Sequence, residues 1–284
     1  MEYKNGELTS AQLRTLQLIE LEMLEEFDRV CNENDINYVV VGGTMLGAIR
    51  HKGFIPWDDD VDICMLREDY EKLKKLRDRL NPDICYFQDH TTDPYYRWGY
   101  GKIRRTGTKY IRVGQEHLKC QTGIFIDVFP LDDVPKSLFG QMFQNFYCYC
   151  CRKILWSEVG KKTCRGLKRY WFSLLSKIPT KVVFSLLDVY VKRSSNASDR
   201  LVRTLCMIPI GIYYYIHPLK SRYGMPKKWF TERARYDFES IQVWGTKDYD
   251  AVLTHWFGDY MTPPPEEKRV SNSPFSLIDF GNLE

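Results

Sequence analysis

Three aspartates carry the chemistry this sequence suggests: Asp60 and Asp62 within DDDVD (58–62), and Asp127 within GIFIDVF (123–129). Residues two apart on an extended segment aim at one side, so Asp60 and Asp62 form an acidic claw. Asp127 stands alone among apolar neighbours. An unpaired carboxylate is costly to bury, so it must face a partner, a cation or a cleft. Two carboxylates about 4 Å apart repel by roughly 4 kcal/mol at an effective dielectric of 20, and a divalent cation removes that penalty. Aspartate oxygens suit Mg²⁺ or Mn²⁺, which leave positions for water and phosphate oxygens. The stretch DDDVDICMLRED is no EF-hand, because it lacks the central Gly and the closing Glu. The plain alternative is a solvated acidic loop, with Asp127 paired to an arginine.

An anion site is expected beside the claw. Gly42, Gly43 and Thr44 follow the β-branched run Tyr38–Val41, the pattern of a buried strand entering a tight turn. Backbone N–H groups at the start of the next helix can approach an anion, and the helix dipole favours negative charge there. Cations are available on two segments, Arg50 to Lys52 and Lys102 to Arg105. Arg50, Lys102 and Arg104 are candidate phosphate contacts, because Arg offers a fork and Lys a point charge. Trp57 either packs the claw loop or stacks on a base.

The elements that must position these groups follow from periodicity. Thr9 and Gln12 make a capping box, after which Leu13, Leu16, Ile19, Met23, Phe27 and Val30 mark an amphipathic helix ending near 32–35. Residues 58–66 form an acidic loop entering a second strand, and 67–80 form a helix stopped by Asn81 and Pro82. Short strands are expected at 84–88, 98–104 and 109–113, and a longer one at 123–129 that Pro130 ends. From Ser137 to about Arg222 the pattern is helical.

The chain has 284 residues and a net charge of +4, but residues 151–228 hold 17 Lys and Arg against three acids, so the rest carries −10. This basic, aromatic middle suits interfacial helices, a cleft for an anion, or a solvated helical face. Peripheral contact with an anionic membrane is therefore one expectation; nucleic acid is not, because no recognition motif accompanies the charge. The longest apolar run, Leu205 to Ile216, contains Pro209 and Gly211 and is too short to span a bilayer. The N-terminus has no signal pattern, so the expected location is cytoplasmic, at most peripheral at the inner membrane face. Nine cysteines without paired C-x-x-C knuckles read as reduced thiols, the cluster Cys148, Cys150 and Cys151 included.

The run GGTMLGAIRHKGFIPWDDDVDICMLREDYEKL (42–73) resembles the LicD family of phosphocholine transferases, whose relatives include fukutin and fukutin-related protein. The likeness continues in TDPYY (92–96), GKIRRTGT (101–108), GIFIDVFPLDD (123–133) and GDYMTPPPEEKR (258–269), and leaves the basic middle loosely matched. The resemblance implies an α+β, nucleotidyltransferase-like fold: a small mixed sheet flanked by helices. The expected organisation is one catalytic unit with a core at 9–135, a basic helical insertion at 136–228, and a C-terminal segment at 229–284 packing back on the core. The resemblance also implies that Gly43 and Thr44 hold phosphate, that Asp60 and Asp62 bind the divalent ion, and that Asp127 is a further ligand or the general base. The implied reaction moves a phosphorylated alcohol from a CDP-linked donor to a hydroxyl of a glycan or lipid-linked glycan, releasing CMP. Rival readings are a D-x-D glycosyltransferase using a nucleotide sugar, an enzyme making rather than consuming the CDP-alcohol, and an inactive membrane- or glycan-binding relative.

Overall fold

Helix α1 (Ser10–Glu33) begins where the capping box places it: Thr9 Oγ1 accepts from the Gln12 N–H and Gln12 Oε1 from the Thr9 N–H. Its apolar stripe is buried against a mixed sheet with strand order β2-β3-β7-β5-β4. The strands are β2 (Val39–Val40), β3 (Asp62–Leu66), β4 (Cys85–Gln88), β5 (Gly101–Arg105) and β7 (Phe125–Asp133). Only β3 and β7 run parallel among these neighbours. The computed structural model describes residues 2–6, 8–194, 200–205, 223–269 and 274–283.

Both faces of β7 are buried, which explains its near-continuous apolar sequence. Ile126 and Val128 join Ile63 and Ile103 in the core under α1, while Phe129 and Leu131 pack on the other side with Val39, Cys64, Trp229 and Phe230. Helix α2 (Gly42–Arg50) follows β2 directly, and α3 (Arg67–Leu76) follows β3. A second sheet joins β1 (Glu2–Gly6), β12 (Phe275–Asp279) and β6 (Lys109–Arg112). The hairpin β10 (Arg233–Phe238) and β11 (Ile241–Thr246) leans on α1, where Arg235 grips Asp28 at 2.7 Å and Trp244 Nε1 donates to Asn32.

Two sequence expectations are corrected here. Pro130 does not end β7, which continues to Asp133. The Asp127 N–H donates to Val61 O on the β3 side, so alternation turns residue 130 away from β3. On that side β5 has ended at Val128 and β8 (Leu201–Arg203) begins at Asp132, so no ladder donor is missing. Nor is the stretch after Ser137 wholly helical. Helices α4 (Leu138–Leu155), α5 (Ser157–Thr163), α6 (Gly166–Leu175) and α7 (Thr180–Ser194) give way to β8, which pairs with β7 and with β9 (Met225–Pro226). The run Leu205–Ile216 lies, beyond Leu205, outside the described residues. The short helix α8 (Lys228–Thr231) and helix α9 (Tyr249–Phe257) complete the α-helices among the described residues. None of these is long and apolar enough to cross a membrane. Cys148 and Cys151 are buried within the α4–α7 group.

Candidate active site

Register across three strands builds the centre of the site. Asp62 on β3 is the direct partner of Asp127 on β7, and Asp127 is the direct partner of Lys102 on β5. In-register residues share a face, so these three side chains stand in a row on the face opposite α1. Lys102 Nζ donates to Asp127 Oδ1, and both side chains are buried. The partner of Asp127 is thus a lysine, not an arginine.

The glycine turn is welded to this row. The Asp62 N–H donates to Thr44 Oγ1 at 3.0 Å, and the Val41 N–H to Asp62 O at 3.0 Å. Gly42 has φ +58, a left-handed conformation that favours glycine, and Asp62 Oδ2 lies 3.4 Å from where its Cβ would be. A Cβ at Gly43 would overlap the Asp58 carboxylate. The first turn of α2 and the acidic loop therefore touch, as a cradle beside a claw requires. Gln17 of α1 fixes the loop from below, its Nε2 donating to Asp58 O at 3.0 Å.

Ligand atoms of Asp58, Asp59 and Asp60 lie within 4.8 Å of one another, the one such group among the described residues. Asp60 belongs both to this cluster and to the expected trio; Asp62 and Asp127 adjoin it through the sheet. Burial pushes the Asp58 carboxyl up to about 7 and the Asp60 carboxyl to about 6, with neighbouring aspartates adding to each. Asp62 is held well above the usual carboxylate range by burial, then by Asp60, Asp127 and Asp58. Such crowding fits a bound cation. Around this cluster the buried oxygens Asp59 Oδ2 and Glu20 Oε2 have no hydrogen-bond partner. The Glu20 carboxyl is raised by burial and then by the charges of Asp60, Asp59, Asp58 and Asp127. An all-carboxylate donor set with orphaned oxygens suits Mg²⁺ or Mn²⁺.

A cationic, aromatic pocket opens beside Asp127, lined by Trp98, Tyr100, Lys102, Arg104, Tyr110, Arg112, Gln115 and Phe125. Three cations surround the Phe125 ring: Lys102 Nζ at 3.3 Å, and the Arg104 and Arg112 guanidinium carbons at 4.9 and 5.2 Å. Burial brings the Lys102 ammonium down to about 7, against the pull of Asp127. Arg104 is held by Gln88 Oε1 and Gly123 O, each at 2.6 Å, and Gln88 in turn donates to Asp93 of TDPYY. Arg112 Nε is buried without a hydrogen-bond partner.

The structure thus brings Gly42, Gly43, Thr44, Asp60, Asp62, Lys102, Arg104 and Asp127 into one region. Arg50 is placed differently. Its guanidinium donates to Tyr260 O at 2.6 Å and to His51 Nδ1 at 3.4 Å, binding α2 to the GDYMTPPPEEKR segment. Trp57 packs against the core, with Arg269 of that segment 5.4 Å from its ring centre.

Sequence reasoning passed over Glu20, Asp59, Arg112 and the pocket aromatics. Glu20 had a signal, an acid in step with Leu16, Met23 and Phe27 on the apolar stripe. Arg112 had none, since only the packing of the second sheet beside β7 brings it to Phe125.

Residues 35–154 match a family model described as LicD/FKTN/FKRP, nucleotidyltransferase domain. Over 274 residues the chain is 30% identical to the lipopolysaccharide cholinephosphotransferase LicD of Haemophilus influenzae, covering 90% of this chain and 93% of that one. The chain belongs to the LicD/FKTN/FKRP family. Another similar sequence, an uncharacterized protein of Rickettsia prowazekii, is 38% identical over 118 residues, 42% of this chain and 41% of that protein. The ribitol 5-phosphate transferase FKRP of Homo sapiens is 45% identical over 42 residues, 15% of this chain and 8% of that one. The mixed sheet with flanking helices agrees with a nucleotidyltransferase-domain family. The stretch that matches the LicD/FKTN/FKRP model contains the glycine turn, the claw, Lys102, Arg112 and Asp127, so most of the candidate site lies inside it.

Proposed function

We propose that this LicD-family chain transfers a phosphorylated alcohol, phosphocholine first among the candidates, from a CDP-linked donor to a sugar hydroxyl of a cell-surface glycan or its lipid-linked precursor. The observation that carries the proposal is the in-register row Asp62–Asp127–Lys102 beside the Asp58–Asp60 cluster. The cholinephosphotransferase relative, aligned over nearly the whole chain, supports the choice of alcohol, and the short match to a ribitol 5-phosphate transferase supports a phosphorylated alcohol as the class.

In this reading the donor's diphosphate lies between the α2 N-terminus and the cationic pocket. Gly43 and Thr44 offer the helix N-terminus, while Lys102 and Arg112 supply positive charge and Trp98 or Tyr110 a surface for the base. The acceptor hydroxyl oxygen attacks the phosphorus carrying the alcohol, and the bond from that phosphorus to the bridging oxygen breaks. CMP departs with the bond's electron pair, and Asp127 takes the hydroxyl proton. Lys102 holds the Asp127 carboxylate in place until then. A Mg²⁺ or Mn²⁺ ion held by Asp58, Asp59 and Asp60, with Asp62 and Asp127 in reach, would neutralise diphosphate charge.

Separate incubations with CDP-choline, CDP-ribitol, CDP-glycerol and CDP-ethanolamine test this. The expected result is CMP release that needs Mg²⁺ or Mn²⁺, fastest with CDP-choline, and lost in Asp127→Asn. UDP release from a UDP-sugar, with no CMP from any CDP-alcohol, would favour a glycosyltransferase and overturn the proposal.

A further inference from the structure

A surface helix of a soluble domain turns its apolar stripe inward. Helix α6 does the reverse. Leu167, Tyr170, Trp171 and Leu174 recur at helical spacing and all face solvent, Leu167 being 87% and Tyr170 72% exposed. Its one buried residue is Phe172, seated so closely on Gly160 that a Cβ there would overlap the ring. Helix α4 shows the same inversion. Phe139, Met142, Phe146 and Tyr149 form an exposed stripe, with Phe139 81% exposed, while Gln144, Cys148, Cys151 and Leu155 face inward. Lys153 bridges the two helices, its Nζ lying 5.3 Å from the ring centre of Tyr149 on the outer stripe of α4 and 5.9 Å from that of the buried Phe172 of α6. Exposed apolar stripes on two adjacent helices mark an interaction surface.

Charge decides what the surface meets. Residues 161–181 contain seven Lys and Arg and no acid, and Lys162, Arg165, Lys168, Arg169, Lys177 and Lys181 are exposed. A second copy of the chain would set two such cationic segments against each other, which like-charge repulsion opposes. A cationic helix with an outward apolar face and aromatic residues fits the boundary between anionic headgroups and acyl chains. We propose that α6, with the outer stripe of α4 beside it, seats the protein on an anionic lipid bilayer, lying in the interface rather than crossing it. This rests on exposure and charge and does not depend on the reaction proposed above.

Flotation with vesicles tests the assignment, using phosphatidylcholine alone and phosphatidylcholine mixed with phosphatidylglycerol. The wild type should float with the mixed vesicles only. The variant Leu167→Ser/Tyr170→Ser/Leu174→Ser should lose roughly tenfold or more in affinity, with an unchanged melting temperature because the three side chains are exposed. A second variant, Arg165→Gln/Lys168→Gln/Arg169→Gln, should lose binding as salt is raised well before the wild type does. No flotation of the wild type at low salt would overturn the proposal. So would wild-type affinity in both variants, or a wild-type dimer in sedimentation that the serine variant dissolves while neither protein binds vesicles.

Discussion

Glu20 shows how one buried acid can be read twice. On the helix stripe it occupies a core position, yet its carboxylate has an unpartnered oxygen and lies in the field of four aspartates. Burial and those charges hold its carboxyl well above the usual carboxylate range. A group whose folded pKa is raised adds stability that is present below the unfolded value and lost as pH rises toward the folded one. Replacing Glu20 by Gln keeps the shape and removes that loss. With divalent ions chelated, Glu20→Gln should therefore melt higher than the wild type at pH 8, by roughly 2–4 °C for each kcal/mol gained, and the difference should shrink toward acid. Added Mg²⁺ should raise the wild-type melting temperature more than that of the variant. Scanning fluorimetry across pH, with and without Mg²⁺, measures this; equal Mg²⁺ shifts in both proteins would place Glu20 in the core rather than in the ion's surroundings.

At the scale of elements, the tip of the β10–β11 hairpin is a clasp. Glu239, at φ +54, accepts two hydrogen bonds from Arg14 of α1 at 3.0 and 2.6 Å and a third from the Phe54 N–H at 3.1 Å. The loop that leads into the acidic claw is thereby tied to α1 and the hairpin together. The Arg14 hydrogen bonds, then the Phe54 N–H, outweigh burial and hold the Glu239 carboxyl below its ordinary value. A lowered carboxyl contributes stability above its unfolded pKa and loses it as pH falls through the folded one. Arg14 is half exposed, so screening limits the pair. Glu239→Gln should cost about 1 kcal/mol at pH 7, and denaturant midpoints of parent and variant should converge in acid below the carboxylate range. The capping box of α1, the glycine turn and the strand around Asp127 were legible in the sequence because each is written in consecutive residues. This clasp was not, because Arg14, Phe54 and Glu239 are joined only by the fold. Pro130 was misread for a related reason: a proline forbids a ladder donor, but whether one is needed depends on which neighbours flank that point of the strand.

For the whole molecule, the charge asymmetry in the sequence marks a real architectural seam whose form the sequence hides. The Val134 N–H donates to Leu201 O, and Asp133 pairs with Val202, so β7 and β8 meet as adjacent antiparallel strands with helices α4 to α7 inserted between them. Insertions at such a point cost the sheet little, since closure entropy grows only slowly with loop length. Among its described residues the basic middle is accordingly two things: helices that follow β7, and the strands β8 and β9 that extend the sheet. A composition count could see the charge but not this division. Replacing residues 136–199 with a short Gly-rich turn should let β8 pair with β7 as a tight hairpin. The lost contacts include the bonds from Arg97 to the Ile154 and Leu155 carbonyls and to Ser157 Oγ, those of His117 with Glu158 O and of Gln144 with Asp133 O, and the stacking of His90 on Phe184 at 4.0 Å, while no residue of 136–199 belongs to the two clusters packed on the sheet. At about 1 kcal/mol each, they leave most of the core energy in place. The shortened protein should thus melt cooperatively, several degrees below the parent, and release CMP from a soluble CDP-alcohol with the same dependence on divalent ion. It should not float with anionic vesicles. Circular dichroism melts, CMP assays and flotation on the same preparation separate the cases: loss of the cooperative melt would make the helices part of the catalytic core, and retained flotation would move the lipid-binding surface elsewhere.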